Sequence, residues 1–333
     1  MNPCVLGVVL AMLSVGGVAT VEAQEVSPLT RAEASGFTET TRHAEAEAFL
    51  HEVAARSPDI TLTRFGYSME GRALWLAIVG DAEGSPESVR QSGKTRVYIQ
   101  GNIHAGEVEG KEAMLALLRE IADGGHRNWL ESMVLLVVPI YNADGNERIA
   151  LTNRRFQHGP TGGMGQRPNA QGYDLNRDHM KLESPEARSL ARMLADYDPH
   201  VLIDLHTTNG THHGYHLTYA PPLHPNTPTP IVELLRERLL PSVTRAIKDS
   251  DDRDYYYYGN LPRQNASQQR GWYTFDHRPR FGNNYGGLRN RVAILSEAYA
   301  YLPFEERIVA TRRFVEELLA YVHADGSEIR QIV

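Results

Sequence analysis

An α/β architecture is expected for this 333-residue chain: a single domain with a mixed, mostly parallel twisted sheet covered by helices on both faces. Stretches of strand character alternate with stretches of helical spacing. Several strand stretches are uniformly apolar, as a strand buried on both faces must be. At 41% hydrophobic and 23% charged, the composition suits a globular chain with a large core. No internal repeat or linker divides it into two domains.

The elements follow in order. Residues 1–23 are expected to be a signal peptide: 5–21 is nearly all apolar or small, and Val21-Glu22-Ala23 resembles a cleavage site. Met1-Asn2-Pro3 lacks the usual basic residue. A membrane anchor is the alternative, but about 17 residues is short for a span. Export, to a periplasm or out of the cell, and no stable membrane association after signal removal follow from this reading. The sole cysteine, Cys4, would leave with the segment. The mature chain then has no disulfide and no thiolate ligand, so any metal must be held by His, Asp and Glu.

Residues 24–39 read as a polar, loosely held lead-in, and 40–333 as the main domain. The chain ends soon after its last helical pattern, so a truncated C-terminus is part of this expectation. Residues 40–55 have helical spacing, with Ala46, Phe49, Leu50 and Val53 on one face. Residues 60–65 and 74–79 read as strands around a turn at 67–72. A strand at 95–100 leads to a turn at His104 and a helix over 110–122. The apolar run 134–140 is a buried strand. Residues 142–177 form a long, glycine-rich loop, a length that usually carries function. Helix 183–194, strand 201–206, helix 231–247, strand 292–297 and an amphipathic helix over 304–322 complete the chain. In such sheets functional groups gather at the C-terminal ends of strands, where His104, His206 and Glu297 fall.

His104-Ala-Gly-Glu107 places an imidazole and a carboxylate three residues apart, facing the same way on a first helical turn. The pair could share one metal ion, although about one His-x-x-Glu is expected by chance in such a chain. His206 ends its strand, and Asp204, two residues earlier on the same face, could hold one ring nitrogen and leave the other for metal. Taken alone, Asp-Leu-His more often marks a satisfied core histidine. Asn176 and Arg177, in Asp174-Leu-Asn-Arg177, offer an amide and a forked guanidinium suited to a carboxylate, or simply a loop salt bridge. Glu297 ends an apolar strand, where a carboxylate is costly without a partner, and so is a candidate general base. The net charge of −7 argues against a nucleic-acid partner.

In order and approximate spacing, His104-Ala-Gly-Glu107, Tyr141-Asn-Ala-Asp-Gly145, Asp174-Leu-Asn-Arg177, Asp204-Leu-His206 and Leu295-Ser-Glu297 resemble the zinc carboxypeptidase family typified by pancreatic carboxypeptidase A. The resemblance covers roughly residues 40–320. It implies one Zn²⁺ per chain on His104, Glu107 and His206, with Glu297 as the base that activates water. It implies hydrolysis of C-terminal peptide bonds in peptides with a free C-terminus, which Asn176 and Arg177 would grip. Asp174 would hydrogen-bond the first histidine. An arginine that stabilises the oxyanion is expected upstream: Arg154 and Arg155 lie nearest, and Arg167 is a third candidate. Tyr285, rather than Tyr273, is expected as the mobile tyrosine before the base. The pancreatic pattern has an arginine where this chain has Gly106, so contacts upstream of the scissile bond are expected to differ.

Other patterns point less far. Tyr255 to Tyr258, Trp272, Tyr273 and Phe275 suit a pocket wall or, equally, packing at a sheet edge. His212, His213 and His216 read as a loop rather than a second metal site. Two rival functions remain: a zinc amidohydrolase acting on cell-wall peptides or N-acyl amino acids, and a catalytically silent zinc- or peptide-binding protein.

Overall fold

The computed structural model describes residues 27–208, 210–262 and 269–333. The expected signal peptide lies outside the described residues, as does the start of the lead-in. Eight strands form one sheet in the order β1-β2-β4-β3-β5-β8-β6-β7. They are β1 (Ile60–Tyr67), β2 (Ala73–Val79), β3 (Thr95–Gly101), β4 (Met133–Val138), β5 (Val201–Thr207), β6 (Leu217–Ala220), β7 (Tyr255–Tyr257) and β8 (Val292–Ala298). The four central strands β4, β3, β5 and β8 run parallel, whereas β1 and β2 on one side, and β6 against β8 on the other, pair antiparallel. The sheet is therefore mixed with a parallel centre.

Alternation explains why the centre is apolar throughout. In β4, Leu135 and Val137 enter one core layer, while Val134, Leu136 and Val138 enter the other. The first layer is covered by the helices His43–Arg56, Glu109–Ala122 and Phe304–Ile332. The second is covered mainly by Pro185–Tyr197, through Leu190, Met193, Leu194 and Tyr197. Each central strand thus buries both faces, so no polar alternation marks it.

β4 flanks β3 on one side and β5 on the other, so the chain changes winding direction between β3 and β5. Ligands of such sheets bind at that point, beyond the strand ends. Gly101, the last residue of β3, lets the next helix approach closely: a Cβ there would lie 3.0 Å from the Lys111 amide nitrogen.

Three elements depart from expectation. The described part of the lead-in is docked rather than loose. Thr30 caps the Arg31–Ala34 turn by a capping box, Ala32 is fully buried, and Arg119 grips Glu33 through both guanidinium ends. The last helix continues ten residues past the expected end at 322, to Ile332, with a kink at Asp325. Tertiary docking overrides Gly326 there, because Ile329 is buried and Arg330 Nη1 donates to Thr95 Oγ1 at 2.6 Å. Finally, His104 and Glu107 precede the Glu109–Ala122 helix instead of lying in its first turn. They close a tight turn of their own, Glu107 N donating to His104 O at 2.8 Å.

Candidate metal centre

The sheet register does much of the positioning. His206 of β5 stands directly opposite Glu297 of β8, and parallel pairing points both side chains to the same face. The turn after β3 delivers His104 and Glu107 to the same place. His104, Glu107 and His206 are all buried, and one donor atom from each lies within 4.8 Å of the others. The two imidazole Nδ1 atoms are 3.2 Å apart. Glu107 Oε1 is 3.0 Å from His104 Nδ1, and Oε2 is 2.8 Å from His206 Nδ1. Glu107 Oε2 also accepts from the Thr207 amide at 3.1 Å, which fixes the carboxylate against β5.

The opposite ring edges decide what this cluster could hold. His104 Nε2 lies 2.9 Å from Asp174 Oδ1, and His206 Nε2 lies 2.8 Å from Asp204 Oδ2. A neutral imidazole that donates its Nε2 proton to an aspartate keeps its Nδ1 lone pair for a cation. Two lone pairs and a carboxylate converging in a buried site call for a cation. A nitrogen–nitrogen separation of 3.2 Å matches two ligands of one zinc ion, each about 2.0–2.1 Å from it. The donor set, two imidazoles and a carboxylate without thiolates, fits zinc.

The carboxylates dominate the electrostatics. Burial pushes the His206 imidazole down, but Asp204 and Glu107 outweigh it and hold the ring well above its usual range. Burial pushes Glu107 up, yet Arg154, His104 and His206 hold it well below the usual carboxylate range. Asp174 is likewise pushed up by burial, and His104, Arg167 and Arg177 draw it far lower. The ligand carboxylate and the carboxylate behind His104 are thus kept ionised.

A family model described as zinc carboxypeptidase matches residues 46–276, more than half of the chain. The chain belongs to the zinc carboxypeptidase family. The match takes in His104, Glu107, Asp174, Asn176, Arg177 and His206, and ends before Glu297. Carboxypeptidase 2 of Trichophyton rubrum is 30% identical over 186 residues, covering 54% of this chain and 30% of that protein. Human carboxypeptidase D is 29% identical over 156 residues, covering 40% of this chain and 11% of its own length. The matched part therefore spans under a third of these relatives. A metallo-carboxypeptidase of Burkholderia cenocepacia shares the fold at a TM-score of 0.61 and 18% identity, over 85% of this chain and 69% of that one. Carboxypeptidase A of Helicoverpa armigera gives 0.61 and 16%, over 88% and 75%.

Around the cluster, the long loop contributes arginines. Arg154 Nη2 forms a short ion pair with Glu107 Oε1. Arg167 spans Asp174, at 2.8 Å from Nη2, and faces Glu107 Oε1 at 3.8 Å from Nη1. Arg155, by contrast, is exposed and has no contact with the cluster among the described residues, so that candidate is corrected. Tyr285 is corrected as well. Its ring joins the apolar layer of Leu190 and Leu194, and its hydroxyl accepts from Arg289 at 3.2 Å. The Gly282–Leu288 helix carries it to the back of Asp204.

Asn176 and Arg177 sit beside the cluster, in the Leu175–Arg177 3-10 turn capped by Asp174. Asn176 Nδ2 is 3.3 Å from His206 Nε2, and the Arg177 guanidinium stacks 4.1 Å over the Phe281 ring. Glu297 is partly open to solvent yet crowded by protein; burial and the Glu107 charge, against His206 and the arginines, push it up to about 8. In the sequence, Tyr258 stands out only as one of several aromatics. It lies where burial and the charges of Glu297 and Glu107 push its phenol up, and its hydroxyl accepts from Asn260 at 2.8 Å. His212 stacks on Tyr301 at 4.1 Å and His213 packs against Tyr299 at 4.4 Å.

Proposed function

We propose that the protein is an exported zinc metallocarboxypeptidase that removes C-terminal residues from peptides. The observation that carries this reading is Glu297 registered opposite His206, a carboxylate beside a two-histidine, one-glutamate donor set. Zinc, when held by His104, Glu107 and His206, supplies a Lewis acid that polarises a carbonyl and lowers the pKa of water.

The chain's own residues do the rest. Glu297 takes a proton from the attacking water and returns it to the leaving amine, a task its place opposite His206 suits. Arg167, held by Asp174 and facing Glu107, offers guanidinium donors to the developing oxyanion. Asp174 and Asp204 fix the two rings by their Nε2 protons. Arg177 and Asn176 receive the terminal carboxylate, where a planar fork gives bidentate recognition.

The chain contains no helix, among its described residues, long and apolar enough to cross a membrane. Export rests on the N-terminal segment alone.

The test is release of free amino acids from matched peptides that end in a carboxylate or an amide, with and without a chelator. Chelator-sensitive release from the carboxylate form alone is expected. Equal cleavage of the amidated form would favour the amidohydrolase, and no cleavage of either would favour a silent binding protein.

A further inference from the structure

Asp174 and Asp204 back the two imidazoles from opposite surroundings. Asp174 belongs to the loop, has a side chain 24% exposed, and accepts from the Asn176 amide at 3.0 Å and from Arg167. Asp204 is buried within the sheet, where a carboxylate must find its hydrogen bonds among neighbouring side chains.

The strand register supplies them. Gln100 of β3 stands opposite Asp204 of β5, and residues paired in this way point to the same face. Gln100 Nε2 donates to Asp204 Oδ1 at 3.0 Å, while Oδ2 lies on His206 Nε2. A carboxylate accepts, so the Gln100 amide turns its nitrogen to Asp204 and its oxygen away. That oxygen lies 2.7 Å from the hydroxyl of Tyr98, two residues earlier on the same strand face, so the phenol donates to it. Burial, with Tyr141 and Asp204 nearby, pushes the phenol well above its usual range, and it keeps its proton. A buried run of side chains therefore leads from Tyr98 through Gln100 and Asp204 to His206, with the direction of its first two bonds fixed.

The space around this run is closed. The Gly282–Leu288 helix packs so near that a Cβ at 282 would lie 3.3 Å from Asp204 Oδ2. The cavity bordered by Tyr98, Gln100 and Asp204 measures about 20 Å³, room for about one water. Solvent is thus a poor substitute for the Gln100 amide. Two buried polar side chains on a central strand are costly unless they are bonded, and here the bonds end at the candidate metal centre.

We propose that Gln100 and Tyr98 are positioning residues for the metal centre, holding Asp204, and through it the His206 ring, in the ligating orientation before a metal ion is bound. Neither residue touches metal or substrate. The inference rests on the zinc reading of the site and gives its sheet-side histidine an aim set by the fold.

The test is a double-mutant cycle read as zinc Kd by chelator competition, with urea melts of the metal-free proteins to confirm folding. Gln100→Leu should weaken zinc binding about tenfold and Tyr98→Phe, which removes a single hydroxyl, about threefold. Because both act through Asp204, adding Gln100→Leu to Asp204→Ala should change Kd less than about twofold, and Tyr98→Phe should add as little to Gln100→Leu. With Co²⁺ in place of zinc, the visible bands of Gln100→Leu should shift in the direction seen for Asp204→Ala. An unchanged Kd in Gln100→Leu, or losses that simply add in the double variants, overturns the proposal. A folded wild type that binds no zinc tightly overturns the zinc reading itself.

Discussion

His206 and Arg167 reach the same cluster by different routes. His206 is fixed by β5, whose register with β8 and β3 is set by buried apolar pairs on both faces. Arg167 hangs from a loop tied down by hydrogen bonds such as Gln166 N to Gly145 O at 3.1 Å and Asn142 Nδ2 to Arg167 O at 3.2 Å, and its guanidinium is aimed by ion pairs with Asp174 and Glu107. A strand-end side chain is aimed by the whole sheet, whereas a loop side chain is aimed by its partners. Substitutions in the strands should therefore remove a function outright, and those in the loop should separate neighbours from one another.

The largest expected effect is on the strand side. His206→Ala should abolish stoichiometric zinc binding and with it nearly all turnover, read by metal analysis of the purified protein. Retention of one tight zinc would break the ligand assignment and the contrast with it. On the loop side, Arg167→Ala should lower kcat by about 10²–10³ with zinc retained. Arg155→Ala, at an exposed residue, should stay within about twofold of the wild type. Equal losses at 155 and 167 would mean that loop partners do not aim these arginines.

Legibility in the sequence follows the same division. The apolar runs of β3, β4, β5 and β8 and the residues at their ends could be read directly, because burial on both faces leaves a compositional mark. β6 and β7 could not be read as strands, because four and three residues carry too short a pattern, although the aromatics of Tyr255 to Tyr258 did suit packing at a sheet edge. Arg154, Arg155 and Arg167 are indistinguishable by order alone, since ion pairs with Glu107 and Asp174 decide which of them face the cluster. The only available hint was that Arg167 lies seven residues before Asp174, its eventual partner. Tyr285 departs from expectation for a related reason. The glycine-rich segment around it forms a helix that packs the partly buried ring against the core.

Two smaller effects sharpen the comparison. Asp174→Asn removes the charge that holds His104 Nε2, and zinc affinity should fall about 10–100-fold by chelator competition, with the fold intact. An unchanged affinity would make Asp174 a loop residue only. At the far end of β5, His200 accepts the Arg96 amide on Nδ1 at 3.0 Å, and burial with nearby Arg96 and Arg291 pushes it from 6.5 to about 4. Its folded pKa lies below the unfolded one, so its contribution to stability is present above pH 6.5 and lost as pH falls towards 4. His200→Gln should flatten urea-melt stability across that window by roughly 1–2 kcal/mol, allowing for partial solvent contact, and leave zinc unaffected. A change in zinc content would show that the two ends of β5 are coupled.

Glu297→Gln tests the central claim most directly, because it removes a base and leaves the donor set and the register of β8 alone. Zinc content and turnover should be measured on the same preparation. One zinc per chain with kcat reduced by about 10²–10⁴ is the expected result. Full activity would contradict the proposed chemistry, and loss of zinc would make Glu297 part of the metal site instead of its base.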